Sequence, residues 1–223
     1  MRNLTRPARE LVAELACDGI CSAAQAVRLR GDEALEELLA AGAAQVLWVP
    51  WRRSHGARGA LRVAAVRLTG AGRALAEGMG ARPSVAGERE FAHSAGLAEL
   101  RWLLGADRER VVKEDGLRAW AAASGRWTEA MPDALWWNGD ELVALEYDHG
   151  SYGPALVARK LRALASLADR VVWGTSVASR AGRVRSAWGG EPVLVVPPVD
   201  TPAWLLDRGA CSMALTSCAR TPG

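Results

Sequence analysis

The chain has 223 residues, room for one large or two small domains, each with its own core. Half of the residues are hydrophobic and 24% are charged, which excludes a disordered or fibrous protein. Net charge is only +3, and no apolar run has the length of a signal sequence or membrane span, so the sequence predicts a cytoplasmic protein with no membrane partner.

Residues 7–17 carry apolar side chains at helical spacing behind Pro7, and Gly19 ends that helix. Ser22 is placed to cap a second helix, Ala23 to Leu29. Asp32 follows Gly31 as the expected cap of a third helix, Glu33 to Ala41, stopped by Gly42. Val46–Val49 then reads as a strand, 52–59 as a polar tip, and Leu61–Leu68 as the return strand. Thr69 caps a helix over 71–77. The four cysteines, Cys17, Cys21, Cys211 and Cys218, fit no zinc spacing; Cys17 and Cys21 read as small apolar packers.

This order, three helices, a strand, a wing, a strand and a helix, resembles a winged helix-turn-helix. The stretch Leu68-Thr69-Gly70-Ala71-Gly72 is similar to the ending common in that fold. Such domains place the third helix in the major groove and the wing on backbone phosphates. Here the third helix carries Asp32, Glu33, Glu36 and Glu37, which are poor groove contacts. Residues 38–76 instead hold Arg52, Arg53, Arg58, Arg62, Arg67 and Arg73 and no acid. The expectation is sequence-independent contact with DNA phosphates through Arg52, Arg53, Arg58, Arg62 and Arg67. A solvated arginine face and a protein-binding winged helix are the alternatives.

Residues 79–90 read as a linker, setting the boundaries at 1–78, 79–90, 91–206 and a tail at 207–223. The second part alternates: helix 91–104, strand 109–113, helix or loop 116–122, strand 131–137, a turn at Asn138-Gly139-Asp140, and strand 141–147. A helix from Pro154 to about Ala168, strand 170–175, helix 176–188 and strand 192–196 complete it. That alternation predicts an α/β domain with a mixed sheet. Of the ten tryptophans, Trp120, Trp127, Trp136, Trp137 and Trp173 lie in this part; most are expected to be core, and stacking of some on exposed bases is the alternative.

The basic residues are 26 Arg and only two Lys, Lys113 and Lys160. A lysine kept in so arginine-rich a chain points to a need for a compact, tunable ammonium. Asp133 begins one strand of the expected hairpin and Glu146 ends the other, so the two carboxylates approach. Asp148, two residues on, shares a strand face with Glu146. Lys160 lies about two turns into the next helix. Two carboxylates hold Mg²⁺ or Mn²⁺ together with waters and a phosphate, and the lysine orients water or stabilises developing charge. The alternative is a surface hairpin with ordinary carboxylates.

The order Pro132-Asp133, Glu146-Tyr147-Asp148, Lys160 resembles the PD-(D/E)xK nuclease superfamily. Over residues 8–197 the chain resembles, more narrowly, the replication-relaxation family of plasmid and mobile-element proteins, adding His93, Leu145 to Ser151 and Arg159-Lys160-Leu161. The resemblance implies a winged helix joined to a restriction-endonuclease-like α/β domain. It implies Asp133 and Glu146 as metal ligands, Asp148 as a third ligand or supporting acid, and Lys160 as the residue positioning the nucleophile. Glu99 would be the helix-borne acid, His93 a phosphate contact or base, and Tyr152 a substrate contact. The implied function is a Mg²⁺- or Mn²⁺-dependent DNA nuclease or nickase. The alternative is a catalytically inactive DNA-binding or regulatory relative, acting as a homodimer. One departure stands out: Asp148 occupies the position where the superfamily's strand carries lysine.

Overall fold

The computed structural model describes residues 4–51, 61–126, 130–150, 152–188, 191–195 and 197–206. Helix α1 (Arg6–Asp18) starts at Thr5, whose hydroxyl accepts from the Ala8 amide, and ends at Gly19 with φ +77°. Strand β1 (Ile20–Ser22) follows. Helix α2 (Ala23–Arg30) opens with a reciprocal capping box between Ser22 and Gln25. Helix α3 (Asp32–Ala40) leads to β2 (Ala44–Trp51), β3 (Leu61–Leu68) and α4 (Gly70–Gly78), the last capped by Thr69. The three strands form an antiparallel sheet in the order β1-β3-β2. Pro50 sits on edge strand β2, where a missing amide donor is tolerated. Leu11, Leu15, Leu35, Leu38 and Val66 are fully buried between helices and sheet.

The second part begins with α5 (Phe91–Leu103), β4 (Val111–Lys113) and α6 (Glu114–Ser124). It continues with β5 (Ala134–Asn138), β6 (Glu141–Asp148), α7 (Pro154–Ala165), β7 (Arg170–Thr175), α8 (Ala178–Trp188) and β8 (Glu191–Leu194). The sheet is mixed, in the order β4-β5-β6-β7-β8, with β4-β5-β6 antiparallel and β6-β7-β8 parallel. The β5–β6 turn uses Gly139 at φ +64°, a conformation that favours glycine.

The two sheet faces are covered differently. On one, the buried Tyr147 ring meets α5 at Gly96, where an added Cβ would fall 2.0 Å from ring carbons. On the other, Trp173 packs with Val157 and Leu161 of α7 and Val184 of α8. Leu117 of α6 joins Leu142, Ala144 and Leu164 on that same face.

The stretch 79–90, expected as a linker, is largely exposed but anchored at Ser84 and Ala86. Ala86 is buried beside Ile20, Val49, Val63, Phe91 and Ala95, in one core shared by both parts, and the Ser84 amide donates to Ala16 O at 2.7 Å. A buried ion-pair group bridges the parts as well. Arg101 of α5 binds Glu14 and, at 2.8 Å, Asp18 of α1; Lys113 reaches Asp18 at 3.2 Å and Arg108 reaches Glu14 at 2.9 Å. Burial works against the charge on Asp18, but Lys113 and Arg101 outweigh it and hold its carboxyl below the usual range. Residues 203–206 form a helical turn that returns to the first part, with Leu205 in its core and the Trp204 indole donating to Asp32.

Candidate active site

Strand alternation puts Tyr147 on the α5 face of β6 and Glu146 on the α7 face, where Glu146 pairs in register with Trp173 of β7. Ala134 faces Leu145 across the antiparallel pair, so Asp133 stands one step further on, beside Glu146. The expected strand 131–137 begins only at Ala134. Asp133 therefore precedes the ladder, and its Oδ2 accepts from the Tyr147 amide at 2.7 Å. That hydrogen bond fixes the carboxylate at the end of β6. His93, in the first turn of α5, brings Nε2 to 3.3 Å from the same oxygen.

Lys160 arrives from the opposite face. Helix α7 starts at Pro154 immediately after Gly153, and two turns later the Lys160 ammonium binds Glu146 Oε1. Its Nζ also lies 5.1 Å from the centre of the Tyr152 ring. Glu146 is fully buried, and its Oε2 is a buried acceptor without a hydrogen-bond partner. Burial first, and Asp133 second, push the Glu146 carboxyl up to about 8; Lys160 and His93 act in the other direction. Burial opposes a charged His93, but the hydrogen bond and charge of Asp133 outweigh it and raise the imidazole. Asp133, Glu146, Lys160 and His93 thus form one cluster: two facing carboxylates, each with a cationic or protonatable partner.

Asp148 has another task. It shares the Glu146 face, but its Oδ1 accepts from the Gly150 amide at 2.7 Å and the Tyr152 amide at 3.3 Å. Arg180 of α8 stands 3.4 Å from its Oδ2 and also donates to the carbonyls of Tyr152 and Gly150. Asp148 organises the turn after β6, and those bonds leave it poorly available as a third metal ligand. Glu99, expected as the helix-borne acid, points instead to α2, where Arg28 reaches it at 2.6 Å and Gln25 at 3.0 Å. Nothing in an arginine-rich sequence singles out Arg180.

Lys113, the other lysine, occupies an equivalent setting, with its ammonium on the buried Asp18. Both lysines therefore serve buried carboxylates. Arg62 is exposed, with a hydrogen bond to Trp48 O at 3.0 Å, and Arg67 is half-buried beside Gln45. Arg52, Arg53 and Arg58 lie outside the described residues, as do Trp127, Cys211 and Cys218. Cys21 is buried, which raises its thiol. Trp173 and Trp136 are core residues, and Trp120 meets Trp137 edge to face.

A cavity of about 660 Å³ lies away from this cluster, between α1 and α6, lined in part by Cys17, Arg82, Arg108 and Lys113. Its Arg108 and Lys113 are engaged by Glu14 and Asp18, so chemistry and cavity do not coincide. Among the described residues no group of three or more His, Cys, Asp or Glu is placed to hold a metal, and no helix is long and apolar enough to cross a membrane. Compared with known proteins, the chain matches no family model, no curated protein and no solved structure.

Proposed function

We propose that the chain is a DNA-processing protein with a metal-dependent phosphodiesterase site at Asp133, Glu146 and Lys160, built as the replication-relaxation family is. The observation that carries this reading is the meeting of two carboxylates at adjoining strand ends with a helix-borne lysine on one of them. The partnerless Glu146 Oε2 beside a second carboxylate suits a small hard cation, because Mg²⁺ commonly takes one or two carboxylates and completes its shell with water and phosphate. Asp133 and Glu146 would hold such an ion, which supplies charge neutralisation and a hydroxide at neutral pH. Lys160 keeps a positive charge where a phosphate would enter, and His93 offers a proton donor next to Asp133.

The order α1-β1-α2-α3-β2-β3, with β1 paired on β3, supports a winged-helix reading of the first part. The test is nicking of supercoiled plasmid with Mg²⁺ or Mn²⁺ by wild type, Glu146→Ala and Lys160→Ala. The reading expects metal-dependent nicking by wild type alone. Equal, metal-independent nicking by all three contradicts it. A second reading, an inactive DNA-binding relative, is favoured by the engagement of Asp148 in its own turn and of Lys160 with Glu146. It expects DNA binding without nicking.

A further inference from the structure

The second part is neutral in sum, with 15 basic and 15 acidic residues over 91–223, but its charges are segregated. Residues 149–190 hold Arg159, Lys160, Arg162, Arg170, Arg180, Arg183 and Arg185 against a single acid, Asp169. The fold gathers much of that excess on one surface. Helices α7 and α8 cover the same sheet face, since Val157 and Leu161 of one and Val184 of the other close over Trp173. Neither helix contains an acidic residue.

Three of the seven cations are consumed inside the fold. Lys160 binds Glu146, Arg170 binds Glu141 and Glu191, and Arg180 binds Asp148. Asp169 is turned to the Leu142 amide at 2.8 Å. That leaves Arg159 and Arg162 on α7 and Arg183 and Arg185 on α8, all exposed and without a hydrogen bond or ion pair among the described residues. Arg159 and Arg162 are three apart and share a helix face. Among the described residues the exposed positions around them include the small Ala155, Ser179, Gly182 and Ser186, which let a bulky rod approach closely.

We propose that the outer face of α7 and α8 is a docking surface for the phosphate backbone of duplex DNA. The partner follows from charge and relief together. Arg159 and Arg162 on the outer side of α7, with Arg183 and Arg185 flanking the inward Val184 on α8, put four unneutralised guanidiniums on two acid-free helices, which match a polyanion, and guanidinium forks suit phosphate oxygens. An anionic membrane fits less well, because among the residues whose burial is described the exposed large hydrophobic ones, Met79, Val85, Leu103, Leu194 and Leu206, all lie off these helices. The surface adjoins the cluster: Arg159 immediately precedes Lys160, whose ammonium turns inward to Glu146. Phosphates held on α7 therefore lie on the same helix that carries the cluster's lysine. This proposal rests on the reading of the chain as a DNA-processing protein.

The test is fluorescence anisotropy of a labelled short duplex across a salt series, without divalent metal. Wild type is compared with the quadruple variant Arg159→Ala/Arg162→Ala/Arg183→Ala/Arg185→Ala and with the matching quadruple Lys variant, each checked for folding by circular dichroism. Four lost phosphate contacts lower the slope of log affinity against log salt by about 3 to 4, with at least about tenfold weaker binding near physiological salt. The Lys variant keeps most of the slope. Unchanged slope and affinity in the Ala variant, or no duplex binding by wild type, overturns the proposal. So does arginine-dependent binding to phosphatidylserine vesicles in place of DNA. Helix-dependent binding without nicking removes the nuclease reading and leaves the surface standing; nicking with binding indifferent to the four arginines does the reverse.

Discussion

Gly96→Ala should destabilise this protein, although Gly→Ala inside a helix ordinarily stabilises it by about 1 kcal/mol. Gly96 lies in the middle of α5, with its backbone against Tyr147 of β6. An ideal Cβ there would be 2.0 Å from Cε1 and Cζ of the ring and 2.6 Å from Cδ1. Ordinary carbon contacts need about 3.5–4.0 Å, so helix and ring must separate by roughly 1.5 Å. The ring cannot retreat. It is fully buried, and its other side is closed by Gly174 of β7, where a Cβ would already lie 3.1 Å from Cδ2. Overpacking of this kind costs about 1–3 kcal/mol or more, which exceeds the gain in helix propensity. We expect a net loss of about 1–2 kcal/mol, or roughly 2–8 °C in Tm for a chain of this size. Urea unfolding of Gly96→Ala beside Gly182→Ala gives an internal control. Gly182 lies in α8 with nothing within 4 Å of its Cβ position, so that variant should be neutral or up to about 1 kcal/mol more stable. In a Tyr147→Ala background the penalty of Gly96→Ala should vanish. A Gly96→Ala protein as stable as wild type would refute the packing of α5 on β6. Because α5 also carries His93, it would remove the basis for placing that imidazole at Asp133.

Arg101→Met should cost about 1.5–3 kcal/mol in urea unfolding at neutral pH, because Asp18 and Glu14 lose one buried partner while Lys113 and Arg108 remain on them. A change below about 1 kcal/mol would contradict the bridge between the two parts. Stability of the metal-free protein should also follow pH in a defined way. Asp18 is held below its unfolded value, so its contribution is present above the ordinary carboxylate pKa and fades as pH falls through its folded value. His93 and Glu146 are raised, so theirs are present below the unfolded pKa and fade as pH rises through the folded value, about 8 for Glu146. The unfolding free energy should therefore decline from near pH 5 towards pH 9, and Glu146→Gln should flatten that decline. An unchanged pH profile in Glu146→Gln would count against the buried, proton-holding carboxyl.

Local signals carried much of the fold. Ser22 and Thr69 cap the helices expected of them, and Asn138-Gly139-Asp140 turns the hairpin that sets Asp133 beside Glu146. Strand β1 was missed, because three residues between two helices have no periodicity and exist as a strand only by pairing with β3. Non-local contacts were also invisible in the sequence. The 79–90 stretch has linker composition, yet Ala86 enters a core contributed by distant strands. Glu99 sits on the helix where the resemblance implies a catalytic acid, but Arg28, 71 residues earlier, turns it towards α2. Asp148 shares a face with Glu146 as strand alternation requires, and only Arg180 and the amides of Gly150 and Tyr152 reveal its different role. Lys160 was legible as a compositional exception, and its contact with Glu146 gives that exception a physical reason.

The measurement that bears most directly on the proposed site is plasmid nicking with Mg²⁺ by wild type, Glu146→Gln and Lys160→Arg. The arginine variant retains the charge but not the compact ammonium between Glu146 and Tyr152. The account predicts metal-dependent nicking by wild type and a loss of about a hundredfold or more in both variants, the scale of removing one electrostatic partner from an active site. Nicking that all three proteins share, or that persists without metal, would contradict it.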